Sequence, residues 1–242
     1  MPGSVVIDYL PESVRHYRSG WAVVAIDVIR ATTTAITAVA SGRRCYPCSS
    51  VDAAHAIAQT LDDPLLAGEL GGDLPAGFEV NNSPAEFASR ADLHRPVVLV
   101  SSSGTKVISE AANCDANYLA CFRCSSALAR HLTQNHDRVA LIGAGTKGEF
   151  REEDQICCAW IAAQLIAAGY MPGTALTDEV ITRWGDAPAR ACLCSRSVEF
   201  LRRSGQVRDL DFILAHVDDL DQVFEMRNGE VRMIRAAAGA LA

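Results

Sequence analysis

The sequence has no apolar stretch long enough to cross a membrane, because charges or glycines interrupt its longest runs. It has no surplus of base. A net charge of −7 argues against a nucleic-acid-binding surface, which needs basic stripes. The opening "MPGSVVIDYLPESVRHYRSG" has neither a basic segment nor an apolar core, so no secretory leader is expected. We therefore expect a soluble cytoplasmic protein with no membrane or nucleic-acid partner. There is no GxxxxGK[ST], which removes the P-loop NTPases. Internal repeats, low-complexity tracts and Pro/Ser-rich linkers are lacking too. An acidic chain can still bind an anion where arginine, backbone amides and a divalent cation converge.

Cysteine is not lacking. There are nine, an odd number in a chain too long for a disulfide miniprotein, and cytoplasmic thiols stay reduced. Two CxxC pairs occur, Cys45/Cys48 and Cys121/Cys124. They lie further apart than the paired knuckles of a zinc site. "CYPC" precedes a Ser-Ser turn instead of opening a helix, as a redox pair should. The plain reading is small apolar side chains in the core.

The chain has 242 residues, 49% of them apolar, enough for one large α/β domain. Apolar runs predict strands at Ala22–Asp27, Arg44–Pro47, Pro64–Gly68, Pro96–Ser101, Asn117–Phe122 and Arg138–Gly143. Helical patterns fall between them, at Thr33–Ser41, Val51–Leu61, Ser103–Ala112, Ser125–Asn135 and Glu152–Ala168. Continuous apolar strands alternating with helices indicate a three-layer α/β/α fold with a largely parallel or mixed sheet. After Gly169 come short helical patterns at Ala175–Trp184 and Arg196–Ser204. Asn228-Gly229 between two alternating runs then marks a β-hairpin. We expect a single domain over residues 1–242, with 170–242 as an added subdomain or a sheet edge.

In open parallel sheets, ligands bind beyond the carboxyl ends of the strands. Here those ends carry Asp27, Arg30 and Thr32–Thr34; Glu69 and a glycine-bearing loop; "SSSGT", Ser101 to Thr105; "CFRCSS"; and "GAGTKGEFREED", Gly143 to Asp154. Helix capping explains many hydroxyls and acids at such places. It does not explain Asp27 and Glu69 at strand ends. Phosphate prefers helix N-termini with free amides and short hydroxyls, and "ATTTA" and "SSSGT" both place these at strand-to-helix turns. Gly104 permits close backbone approach. Arg30 can grip an oxyanion bidentately. Asp27, Glu69 and Asp154 offer hard oxygen ligands for magnesium.

Other phosphate motifs fit less well. "GAGTKG" follows a strand, but its spacing leads into a charged loop and not the apolar helix of a dinucleotide fingerprint. "DVIRATT" has Ile29 where aspartyl phosphatases carry a second Asp. "CSSALAR", Cys124 to Arg130, has the C-x5-R spacing of cysteine phosphatases but lacks their glycine.

Taken together, "IDVIRATTTAITAVASG", "LLAGELGG…GFEVNNSPAEF", "SSSGTKVISEA", "CFRCSSALARHL" and "GAGTKGEFREEDQICCAWIAAQL" resemble the 2-phosphosulfolactate phosphatases, the ComB family. The resemblance spans about Val23 to Leu165, and "LDFILAHVDDLDQVFEMRNGEV" is similar more weakly. It implies a magnesium-dependent phosphatase acting on phosphate esters of 2-hydroxycarboxylic acids, such as 2-phospho-3-sulfolactate on the route to coenzyme M. A homodimer is a family-level expectation. Carried over by position, Asp27, Arg30 and Glu69 are catalytic. Thr32, Thr33, Asn82, Ser83, Ser103, Gly104 and Thr105 contact substrate, and Asp27, Glu69 and Asp154 hold magnesium. Asp27 is either the nucleophile or a metal ligand. The family usually shows Asn where this chain has Ser103 and Cys124, which leaves the substrate open. Two other readings remain: a non-catalytic sensor of a phosphorylated metabolite, and a cysteine phosphatase using Cys124.

Overall fold

The computed structural model describes residues 2–145 and 148–235. Thr146 and Lys147, in the loop expected after the sixth predicted strand, lie outside them. The strands are β1 (Ser4–Tyr9), β2 (Ala22–Ile26), β3 (Cys45–Cys48), β4 (Leu65–Gly68), β5 (Val97–Val100), β6 (Ala116–Ala120), β7 (Arg138–Gly143), β8 (Met171–Pro172), β9 (Gln222–Arg227) and β10 (Glu230–Arg235). The helices are α1 (Ala31–Ala40), α2 (Val51–Ala58), α3 (Pro84–Ser89), α4 (Gly104–Ala111), α5 (Ser125–Asn135), α6 (Glu152–Ala167), α7 (Ala175–Trp184), α8 (Arg196–Arg203) and α9 (Val207–Ala215). All six predicted strands are present within a few residues. β1, β8, α3 and α9 are additional.

The strands form one mixed sheet in the order β4-β5-β3-β10-β9-β6-β2-β7-β1-β8. The predicted hairpin is there, with Asn228 and Gly229 both at positive φ, 53° and 78°, as its two-residue turn requires. Its place corrects the expectation of a sheet edge. β9 pairs antiparallel with β6 and β10 antiparallel with β3, so the hairpin joins two parallel groups at the centre. The physical reason is complementarity. The two groups run in opposite directions along the ladders, and a hairpin offers one strand of each sense.

Alternate residues divide between two cores. Val23 and Ala25 of β2 face inward, with Leu119, Phe224, Cys45 and Leu99 of neighbouring strands, onto Ile36 of α1 and Val107 and Ile108 of α4. Val24 and Ile26 face the other way, onto Leu128 of α5 and Ile156 and Ile161 of α6. Burial on both faces explains the unbroken apolar strand sequences. Each such side chain contributes about 1.5–3 kcal/mol. α2 covers the outer face of β3, β4 and β5 through Ala54, Tyr46 and Val98. Helices on both faces make the three layers.

The sheet is strongly curled. Helix α4 touches both β2 and β3, which β10, β9 and β6 separate in the sheet. Five strand spacings of a flat sheet would hold β5 and β2 about 24 Å apart. Yet Gly104, just beyond β5, packs against Asp27, just beyond β2. Over those spacings a twist of 20–25° per strand accumulates to about 100–125°. Twist and curl together bring the carboxyl ends of two groups with opposed ladders to one place.

Candidate active site

Register aligns the rim on one side. Ile26 pairs with Ala120 and Gly143, so Asp27, Cys121 and Ala144 follow side by side. Gly68 pairs with Val100, so Glu69 and Ser101 follow together on the other side. The curl then joins the two.

Asp27 sits at the join, 9% exposed. A β-carbon added to Gly104 would lie 2.1 Å from Asp27 Oδ2 and 2.7 Å from Ala31 Cβ. Gly104 and Ala31 are the first residues of α4 and α1. Two helix N-termini therefore abut around one carboxylate, where both macrodipoles favour negative charge. Burial and then the charge of Glu69 nevertheless push the Asp27 carboxyl up to about 7. The Ala31 amide and Arg30 pull it back. Asp154, on the first turn of α6, is 3% exposed and accepts from the Val28 amide at 2.8 Å. Burial, then Asp27 and Glu153, push it well above the usual carboxylate range.

A pH dependence follows. The folded Asp27 keeps its proton to higher pH than the unfolded chain, whose carboxyl titrates near 3.8. Between pH 4 and 7 the folded state thus binds more protons, and this contribution to stability, full below pH 4, is lost as pH rises through 7. We expect the Asp27 contribution to fall by about 2–4 kcal/mol across that window in EDTA. His131 and His136, whose pKa values burial lowers, work in the opposite sense. The contribution is therefore read as the difference in urea stability between wild type and Asp27→Asn at pH 5 and pH 8. Equal slopes in the two proteins exclude it.

Glu69 is half-buried and braced. Its Oε1 accepts from the Ser102 amide at 2.7 Å. Its Oε2 accepts from the Gly72 amide at 2.7 Å and the Ser102 hydroxyl at 3.0 Å. The hydroxyls of the threonines turn toward backbone. Thr32 Oγ1 has one proton for two carbonyls in reach, those of Ala120 at 2.7 Å and Asp27 at 2.8 Å, and accepts from the Asp27 amide at 3.0 Å. Thr33 Oγ1 donates to the Val28 carbonyl at 2.8 Å. Thr105 Oγ1 accepts from the Ser101 amide at 2.9 Å and donates to the Ser101 carbonyl at 3.1 Å. These three brace the turns that carry Asp27 and Gly104. The Ser103 hydroxyl makes no such cap bond at the start of α4.

Arg30, 5% exposed, is held from the far end of the chain. Its Nη1 donates to Asp209 Oδ2 at 2.6 Å and to Gln206 Oε1, and its Nη2 donates to Asn81 Oδ1 at 3.1 Å. Ser83 caps α3 and donates to Asp209 Oδ1 at 2.5 Å. Asn82 is buried, and its Oδ1 has no partner among the described residues. The structure thus brings Asp27, Arg30, Glu69, Gly104 and Asp154 into one neighbourhood, with Asn82 and Ser83 beside Arg30.

Sequence reasoning missed Asp209, Gln206, Asn81 and Glu153. Glu153 is 1% exposed, and its Oε2 has no partner among the described residues. Its only signal was its place beside Asp154. Cys124 lies fully buried, and the Cys121 sulfur and burial push its thiol well up. Arg130 pairs with Asp221 at the surface. Two cavities lie elsewhere. One, about 360 Å³, runs along the β9–β10 hairpin by Arg227 and Arg232. The other, about 300 Å³, lies between α5 and α6 by Trp160 and Gln164. Among the described residues no helix is long and apolar enough to cross a membrane.

Fold and rim define a class: an α/β protein with a buried carboxylate and an arginine where two helix N-termini meet. The chain belongs to the 2-phosphosulpholactate phosphatase family, a family of phosphoric monoester hydrolases, whose model matches residues 8–229. It is 34% identical to a probable 2-phosphosulfolactate phosphatase of Deinococcus radiodurans over 211 residues, 85% of this chain and 86% of that one. A protein of the same description from Pseudothermotoga lettingae is 36% identical over 158 residues, 65% of this chain and 66% of the other. One from Symbiobacterium thermophilum is 37% identical over 142 residues, 57% and 61% of the two chains. The chain spans just under two thirds of the last two relatives. The resemblance read from the motifs is borne out.

Proposed function

We propose that this chain hydrolyses a phosphate ester of a small 2-hydroxycarboxylic acid, with 2-phospho-3-sulfolactate, going to sulfolactate and phosphate, as the substrate the family description points to. The observation that carries the proposal is the Asp27 carboxylate wedged between the N-termini of α1 and α4 with Arg30 at the same turn. Water adds to phosphorus, the ester P–O bond breaks, and the leaving alkoxide takes a proton. Amides of the α1 and α4 first turns, the Ser103 hydroxyl and Arg30 bind the equatorial oxygens, which carry charge through the transition state. Asn82 and Ser83 face the carboxylate or sulfonate end.

The donor set fits magnesium. Asp27 is raised first by burial and then by the charge of Glu69, and a divalent cation would relieve the second of these. Magnesium takes one or two carboxylates together with waters and phosphate oxygens. Among the described residues no three His, Cys, Asp or Glu side chains are grouped to hold a metal ion, so an ion here would rest on at most two carboxylates. Asp27 with Glu69 or Asp154 would hold the ion, which when bound neutralises phosphoryl oxygens and lowers the pKa of a water. Asp27 acts either there or as the nucleophile. We place the reaction in the cytoplasm, where the cysteines stay reduced.

The test is phosphate release from a panel of 2-phospho-2-hydroxyacids, with magnesium or with EDTA, on wild type and Cys124→Ser. We expect magnesium-dependent release, lost in EDTA, and within about threefold of wild type in Cys124→Ser, because a buried thiol at raised pKa contributes no nucleophile. EDTA-insensitive release abolished by Cys124→Ser identifies a cysteine phosphatase. Tight binding without release identifies a sensor.

A further inference from the structure

Helix α9 contributes a buried acid, Asp209, that reaches Arg30 and Ser83. Asp209 is 3% exposed, and both its oxygens are engaged: Oδ2 by Arg30 Nη1, Oδ1 by the Ser83 hydroxyl and by the Ala85 amide at 3.2 Å. One carboxylate therefore ties together α9, the start of α1 and the start of α3. The donors of Arg30 can be counted. A guanidinium has five N–H groups in a fixed planar fork. Asp209 and Gln206 take the Nη1 pair, and Asn81 takes one Nη2 hydrogen. Nε–H and the second Nη2–H have no acceptor among the described residues, and Nε is not one of the sealed, unpartnered atoms. Sealing an unpaired donor is costly, and a donor edge left unsealed stays free to meet water or a ligand.

We propose that Asp209 is a positioning residue. By consuming the Nη1 edge and neutralising a buried charge, it presents the remaining donors of Arg30 to one oxyanion of the substrate, the phosphoryl group. This rests on the function proposed above, because Arg30 and Asp27 flank the same helix turn. A carboxylate supplied by residues 207–215 also explains why a C-terminal segment is built into the same molecule as the rim.

The test combines turnover with binding of inorganic phosphate measured by calorimetry, so that it does not depend on catalysis alone. The variants are Asp209→Asn, Arg30→Lys and the double variant, each in the full chain with magnesium. We expect Asp209→Asn to weaken phosphate binding at least about tenfold and to lower kcat/KM about a hundredfold. In the Arg30→Lys background the same change should add less than about threefold, because the effect passes through Arg30. Losses that multiply in the double variant overturn the proposal, and so does wild-type phosphate affinity in Asp209→Asn. If Asp209→Asn fails to fold, Gln206→Ala, which frees one Nη1 donor, must weaken phosphate binding measurably; unchanged binding overturns the proposal equally. A wild type that binds phosphate through Arg30 but hydrolyses nothing refutes the phosphatase reading and leaves this one standing.

Discussion

Asp27→Asn should lower turnover at least about a thousandfold while leaving the protein as stable as wild type, or more so, at pH 8. Both halves follow from one location. Asp27 is the residue on which the two parallel groups of strands converge, packed against Gly104 and bonded by the Ala31 amide. An amide of the same shape fits there, so packing survives. It cannot attack phosphorus, and it binds a divalent cation poorly. Removing one preorganised charge from a water-poor site typically costs several kcal/mol of transition-state stabilisation, hence the thousandfold. The same substitution removes an ionisable group that burial and Glu69 have raised to about 7. At pH 8 the wild type must keep that carboxylate charged and desolvated, and the variant need not. Turnover and urea unfolding on the same preparations check both halves. Turnover within tenfold of wild type would show that Asp27 has no chemical role. A large loss of stability would show that its carboxylate is a structural cap.

The parts of this site legible in the sequence were those set by local rules. Val23 to Ile26 read as a buried strand because both faces are covered, and Asp27 stood out as an acid where an apolar run stops. Asn228-Gly229 read as a turn because few other pairs accept two positive φ values. What was not legible depends on distant packing. Asp209 sits among other acids in "VRDLDF" and looks like a solvated helix residue. Only the fold sets it against Arg30, 179 positions away. The hydroxyls of Thr32, Thr33 and Thr105 have the right chemistry for a phosphate, yet local sequence cannot say that they turn to carbonyls of their own turns. The central place of the hairpin followed from opposed strand directions, which pattern alone does not reveal.

Gly104→Ala should be nearly as damaging to activity as the loss of the carboxylate itself, for a purely steric reason. Gly104 is the first residue of a helix and does not require the left-handed conformation. By backbone preference alone alanine would gain up to about 1 kcal/mol there. Against this, the new methyl group would stand 2.1 Å from Asp27 Oδ2, 2.8 Å from Asp27 Cβ and 2.7 Å from Ala31 Cβ. Ala31 is helix backbone and cannot yield cheaply, so either α4 backs away from α1 or the Asp27 carboxylate rotates. Overpacking of this kind costs about 1–3 kcal/mol. A misplacement near 1 Å at a reacting group costs about a hundredfold in rate. We therefore expect kcat to fall at least about a hundredfold with a moderate loss of urea stability. Part of the stability, but not the activity, should return in Gly104→Ala combined with Asp27→Ala, because shortening the acid removes the Oδ2 contact and leaves those to the two β-carbons. Wild-type activity in Gly104→Ala would mean that the two helix N-termini do not approach closely enough to share one anion, and the oxyanion site would lose its walls.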